Sequence, residues 1–192
     1  MGVDNGQVST EPRSEPDTEN APAPPRRRVG VLAVVAVLVF GLDLVTKVII
    51  ASTLDGREPV RILGGLVYLQ LIRNPGAAFG MANGMTWLLA LVAIGVVVSL
   101  IWFARRLRSV GWAIGLGLVL AGALGNLSDR IFRSPGPFRG HVVDFISLFA
   151  PNGSTWPAFN VADSAICVGG ALIVLLSLLG REYDGSVRSG RK

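Results

Sequence analysis

Two aspartates in this chain sit among neighbours that suit chemistry better than solvation. Asp144 stands in Val142-Val143-Asp144-Phe145-Ile146, and Asp163 in Phe159-Asn160-Val161-Ala162-Asp163-Ser164. A carboxylate at the centre of a spanning helix costs roughly 2.5–3.5 kcal/mol, so acids beside long apolar runs are rare and usually functional. Two acids joined by one short loop can share a proton, and the common work of such a pair is to activate a water that cuts an amide. Asp163 also has a structural reading. Asn160 fits a helix N-cap and Asp163 the third helical position, a capping box in which the acid favours the helix dipole. Asp144 has no such local use. The surroundings predict unequal acids: the dipole favours the anion at Asp163, and desolvation favours the neutral acid at Asp144.

Further polar residues lie at membrane depth. Asp43 and Lys47 are four residues apart, hence on one helix face, with the acid N-terminal to the base. The pair is either structural or a contact for substrate or lipid headgroup. Asn126 and Asp129 share a face at i, i+3, and this pattern also suits interfacial anchoring and interhelical hydrogen bonds. Arg130, adjacent to Asp129, points elsewhere and should find another partner or reach headgroups. His141 is the only histidine and Cys167 the only cysteine, so a zinc site is poorly served and no intramolecular disulfide can form.

The elements that must position these residues are apolar helices. The chain has 192 residues, of which 51% are hydrophobic and 16% charged. With a mean hydropathy of +0.53, it fits one small polytopic membrane domain better than a soluble one. Residues 1–25 are polar, acidic and proline-containing, and predict a disordered tail. Apolar runs near 29–51, 86–103, 111–131 and 161–180 each approach the roughly 20 residues that a spanning helix needs. The first is too long for a signal-peptide core and is followed by no clear cleavage site. The membrane domain is expected over 26–182, with a basic tail over 183–192.

The net charge of +5 comes almost wholly from arginine. A basic balance can mean nucleic acid, but these arginines flank apolar runs as membrane orientation signals do. Arg26–Arg28, Arg105, Arg106, Arg108, Arg181, Arg188 and Arg191 fall on one side of four spans. The positive-inside rule places that side, with both termini, in the cytoplasm. The loops 52–85 and 132–160 then face outward; they carry Arg57, Arg61, Arg73, Arg133 and Arg139, so the bias is clear but not absolute. Within the first, Val60–Leu63, Gly64-Gly65 and Leu66–Ile72 read as a β-hairpin with a glycine turn, or else as a short interfacial amphipathic segment. Asn74-Pro75-Gly76 ends it with turn chemistry. On the hairpin reading, it could hold an extended peptide by strand addition. A proton-coupled transporter would also use intramembrane acids, and a non-catalytic scaffold would use Asp129 and Asp163 as caps. Neither accounts for Asp144 together with an outward hairpin.

Five blocks, in this order, resemble the lipoprotein signal peptidases of bacteria, also called signal peptidase II. They are Asp43-Leu44-Val45-Thr46-Lys47, Asn74-Pro75-Gly76-Ala77-Ala78-Phe79-Gly80, Gly125-Asn126-Leu127-Ser128-Asp129-Arg130, Val142-Val143-Asp144-Phe145 and Phe159-Asn160-Val161-Ala162-Asp163-Ser164. The resemblance spans roughly residues 30–180 and leaves the acidic tail outside. It implies an all-α polytopic membrane protein with four transmembrane helices and a small β-rich extracytoplasmic cradle. It implies an aspartyl endopeptidase without metal or cofactor, acting at the outer face of the bacterial cell membrane. The substrates would be diacylglyceryl-modified prolipoproteins, cut just before the lipidated cysteine. Carried over by motif, Asp144 and Asp163 are the catalytic pair, supported by Asp43, Lys47, Asn74, Asn126, Arg130 and Asn160. The expected partners are these substrates and membrane lipids, with no nucleic acid, and the chain is expected to act as a monomer.

Overall fold

The structure, a computed structural model, describes Gly2 and residues 26–76 and 85–188. Apart from Gly2, the expected disordered tail lies outside the described residues. So do Ala77–Gly80 of the second block and the last four residues of the basic tail.

Four apolar helices form the body: α1 Val29–Thr53, α2 Thr86–Ala104, α3 Val110–Phe132 and α4 Val161–Leu178. At about 1.5 Å per residue, even the shortest, 18 residues long, is about 27 Å and close to a bilayer's hydrocarbon thickness. Large apolar side chains such as Val37 and Leu38 on α1, Val98 on α2 and Val174 on α4 are exposed, as lipid-facing surfaces require. The multi-pass membrane architecture expected from the sequence is what the chain adopts.

The central helix is α3, on which α1, α2 and α4 all pack. Lipid offers no hydrophobic drive between helices, so close backbone approach must supply the attraction. Glycine provides it: a Cβ on Gly169 of α4 would lie 2.6 Å from the Gly115 carbonyl of α3, and one on Gly122 would strike the Ala162 carbonyl. Leu32 and Ala36 of α1 and Ala104, Leu107, Leu116 and Leu120 close the core at the end where the chain enters.

The opposite end carries a three-stranded antiparallel sheet, ordered β1 (Val60–Ile62), β2 (Val67–Asn74), β3 (Val142–Leu148). The expected hairpin is β1–β2, and its turn has positive φ at Leu63, Gly64 and Gly65. The third strand was not read from the sequence. Ile72 pairs with Asp144 and Asn74 with Val142, so Asn74 and Asp144 are diagonal neighbours on one face. An irregularity between Leu69 and Ile72 sets that register.

At the entry end the chain does not leave as a plain tail. Tyr183 packs on Phe103 and Trp112, and Arg181 bridges to Val187, so residues 180–188 fold back as a small hairpin.

Candidate active site

The site forms where the sheet meets the ends of α1, α3 and α4. Asp144 comes from the middle of β3, buried with Val142, Val143 and Phe145. Asp163 comes from the first turn of α4. The capping box is present: the Asn160 side chain accepts from Asp163 N–H, and Asp163 Oδ2 accepts from Asn160 N–H. Capping and chemistry are therefore not exclusive readings of Asp163, because its other oxygen, Oδ1, faces Asn126.

Three asparagines hold the two acids. Asn74 Nδ2 donates to Asp144 Oδ2 at 2.8 Å, while its own oxygen accepts from Gly76 N–H. Asn160 Nδ2 donates to Asp144 Oδ1 at 2.7 Å, and Asn126 Nδ2 to Asp163 Oδ1 at 2.7 Å. Asn160 thus touches both acids and fixes one against the other.

Beneath them, Lys47 is fully buried. Its ammonium contacts Asp43 Oδ2 at 2.7 Å and Asp129 Oδ2 at 2.9 Å, and donates to Asn126 Oδ1 at 3.2 Å. The expected Asp43–Lys47 pair exists, and its surroundings exclude direct headgroup contact. The ammonium has only donors, so it forces the Asn126 oxygen inward and the Asn126 amide toward Asp163. Asp43 Oδ1 accepts from Ala162 N–H at 2.9 Å, satisfying a backbone donor in the first turn of α4. One buried lysine thereby orders α1, α3 and α4 around the site.

Arg130 is buried rather than at headgroup level, and donates to the carbonyls of Asn126 and Gly76. It ties the turn after Asn74 to α3. Asp129 is the residue whose part the sequence reading missed. It is only 2% exposed, contacts Lys47 and Arg133, and accepts from Val143 N–H, next to Asp144. Its i, i+4 spacing to Arg133 was the available local signal. Asn160 Nδ2 also reaches the Val143 carbonyl, and Phe159 pairs with Ile146. The outer edge of β3 is therefore occupied at Val143, Phe145 and Ile146.

Two effects set Asp144 apart. Burial pushes its carboxyl upward, the nearby charge of Asp163 adds to this, and the donors Asn74 and Asn160 oppose both; the result is about 7. A cavity of about 690 Å³ opens over both acids. Asn74, Asn126 and Arg130 form its polar floor, and Trp156, Pro157 and Ala158 one wall. Ile166, Cys167 and Val168 extend it down α4, where all three are exposed on a lipid-facing surface. The arrangement can hold a water between two carboxyls, beside a slot that is polar at one end and apolar at the other.

Comparisons with known proteins agree with this geometry. Residues 35–179 match the family model described as signal peptidase (SPase) II. The chain is 52% identical over 177 residues to the lipoprotein signal peptidase of Mycobacterium tuberculosis strain H37Rv, covering 92% of this chain and 85% of the relative. It is 47% identical over 203 residues to that of Rhodococcus jostii strain RHA1, covering 99% and 100%. Its fold is similar to a solved bacterial membrane enzyme determined by the in meso method at 2.3 Å resolution. That likeness has a TM-score of 0.70 at 29% identity over 88% of this chain and 98% of the other.

Proposed function

Since this chain belongs to the signal peptidase II family, and so is a membrane protease that processes lipoprotein signal peptides, we propose that Asp144 and Asp163 are its catalytic pair. The observation that carries this reading is that both acids line one cavity and are tied together by Asn160. Asp163 is the base: it accepts two N–H groups and sits at a helix N-terminus. Asp144 is the acid. Asp163 draws a proton from a water, whose oxygen attacks the scissile carbonyl carbon. Asp144 gives its proton to the developing oxyanion. The tetrahedral intermediate then collapses: one of its two hydroxyls returns a proton to Asp144 as the C=O bond reforms, the C–N bond breaks, and the proton held by Asp163 passes to the leaving amine.

The substrate is a prolipoprotein carrying a diacylglyceryl-cysteine, cut just before that residue. The apolar extension of the cavity along Ile166 and Val168 supports this, since two acyl chains could stay in lipid while the peptide reaches the acids. Asp43, Lys47, Asn74, Asn126 and Asn160 orient the pair, and Arg130 ties the turn after Asn74 to α3. The site draws on a single bundle, which supports a monomer as the working unit. Both termini lie in the cytoplasm, and the sheet and cavity lie at the outer face of the bacterial cell membrane.

The test is cleavage of a diacylglyceryl-modified prolipoprotein by purified protein. Asp144→Asn and Asp163→Asn should each lower kcat by about 10²–10⁴-fold or more with the fold retained. Full activity in either folded variant would remove that acid from the mechanism.

A further inference from the structure

The arginine-rich end of the bundle takes no part in the proposed reaction, yet it is built with care. Three segments distant in sequence meet there. Arg28 N–H donates to the Leu107 carbonyl at 2.9 Å. Arg108 N–H and Ser109 N–H both donate to the Tyr183 carbonyl, at 2.9 and 3.0 Å, and the Trp112 ring N–H donates to the Arg181 carbonyl at 2.7 Å. Leu107 is fully buried beneath these contacts. The loop between α2 and α3 is thus fixed, and it carries Arg105 and Arg106 in exposed positions beside the exposed Arg26–Arg28.

The described acids at this end have other partners. Glu182 pairs with Arg188 at 2.8 Å, and the Asp184 carboxylate accepts from Ser186. Among the described residues, none of Arg26–Arg28, Arg105 and Arg106 forms an ion pair. The Arg106 guanidinium lies 5.1 Å from the centroid of the Trp102 ring, and Trp102 is itself exposed on a membrane helix. Stacking on an aromatic face holds a guanidinium while leaving its N–H edge free to donate. Further along the same helices, Val98 and Ile101 of α2 and Val34 and Val37 of α1 are exposed and apolar.

We propose that this end binds an anionic phospholipid, with Arg105 and Arg106 on its phosphate, Arg28 beside them, and its acyl chains along the exposed apolar faces of α1 and α2. The guanidinium fork matches phosphate oxygens two at a time, which a lysine ammonium cannot do. A free phosphate shares that chemistry, but it has no use for the flanking apolar surface. An arginine near an anionic lipid contributes about a fivefold gain in affinity, so losing two should weaken binding roughly 25-fold.

The full-length protein in zwitterionic detergent would be titrated with dioleoyl phosphatidylglycerol and, separately, dioleoyl phosphatidylcholine, following bound lipid by native mass spectrometry. Saturable binding of the anionic lipid at least about tenfold tighter than the zwitterionic one is expected. Arg105→Gln/Arg106→Gln should abolish that preference, whereas Arg57→Gln/Arg139→Gln at the opposite end should keep it. If the double variant proves unstable, Arg106→Gln alone should still reduce the preference about fivefold. Equal affinity for the two lipids, or equal losses in both pairs of variants, would overturn the site. Displacement of the lipid by millimolar inorganic phosphate would show a free-anion site instead, and would also overturn it.

Discussion

Asp144 is surrounded by groups that oppose one another. Burial and the charge of Asp163 favour its proton, while Asn74 and Asn160 favour its loss, and the balance falls at about 7. An ordinary carboxyl titrates near 4, so between about pH 4 and 7 the folded chain holds a proton that the unfolded chain has released. Stability from this residue is therefore greatest at and below about pH 4, declines as pH rises toward 7, and levels off above. Asp144→Asn should flatten that slope in pH-dependent thermal unfolding; an unchanged slope would assign it to another group. If Asp144 is the acid, cleavage should decline as pH rises through about 7, and a protonated-carboxyl infrared band at pH 5 should vanish in Asp144→Asn but remain in Asp163→Asn, where it should titrate away at lower pH because the Asp163 charge is gone while burial still raises Asp144. Persistence of the band in Asp144→Asn would reverse the assignment. Lys47 makes a second prediction. Lys47→Met leaves Asp43 buried without its cation and Asp129 with Arg133 alone, so destabilisation of about 3–5 kcal/mol is expected in denaturant unfolding. A loss below about 1 kcal/mol would mean that the buried network is not held by charge.

At the scale of elements, the site depends on how closely α1, α3 and α4 approach. Gly125 marks a point where all three meet: a Cβ there would strike Asp43 Oδ2 and lie 3.1 Å from the Ala162 Cβ. Gly125→Ala should cost about 1–3 kcal/mol by overpacking and should also lower kcat, because it displaces the start of α4 and Asp163 with it. Gly95→Ala on α2 meets open space, and should leave both thermal stability and cleavage near wild type. Equal behaviour of the two variants would show that helix spacing does not set the site. The helices themselves were legible in the sequence, because lipid requires long uninterrupted apolar runs. The hairpin was legible from its glycine turn, and Asn160 and Asp163 from local capping chemistry. Strand β3 was not: its residues are buried on both faces, so they lack the alternation that marks a half-buried strand. Asp129 escaped for a related reason. Its main partners, Lys47 and the Val143 amide, come from other elements, and no local spacing encodes them.

At the scale of the whole molecule, the two ends differ in how their arginines are partnered among the described residues. At the sheet end, Arg73 pairs with Asp55 in a two-pronged bridge, Arg133 pairs with Asp129, and Arg61 donates to the Gly64 carbonyl. At the other end, Arg26–Arg28, Arg105 and Arg106 lie on the surface without ion pairs among the described residues. Arg57 and Arg139 are exposed at the sheet end without an ion pair too, but among the described residues the larger group of unpaired arginines lies at the other end, which supports the orientation with that end in the cytoplasm. This can be read on intact cells. In a Cys167→Ala background, Ser154→Cys marks the loop beside the cavity and Ser186→Cys the C-terminal hairpin; both positions are exposed. A membrane-impermeant maleimide should label the first in intact cells and the second only after lysis. Labelling of Ser186→Cys in intact cells, with Ser154→Cys protected, would invert the topology. The cavity would then face the cytoplasm, and a substrate processed at the outer surface could not reach Asp144 and Asp163.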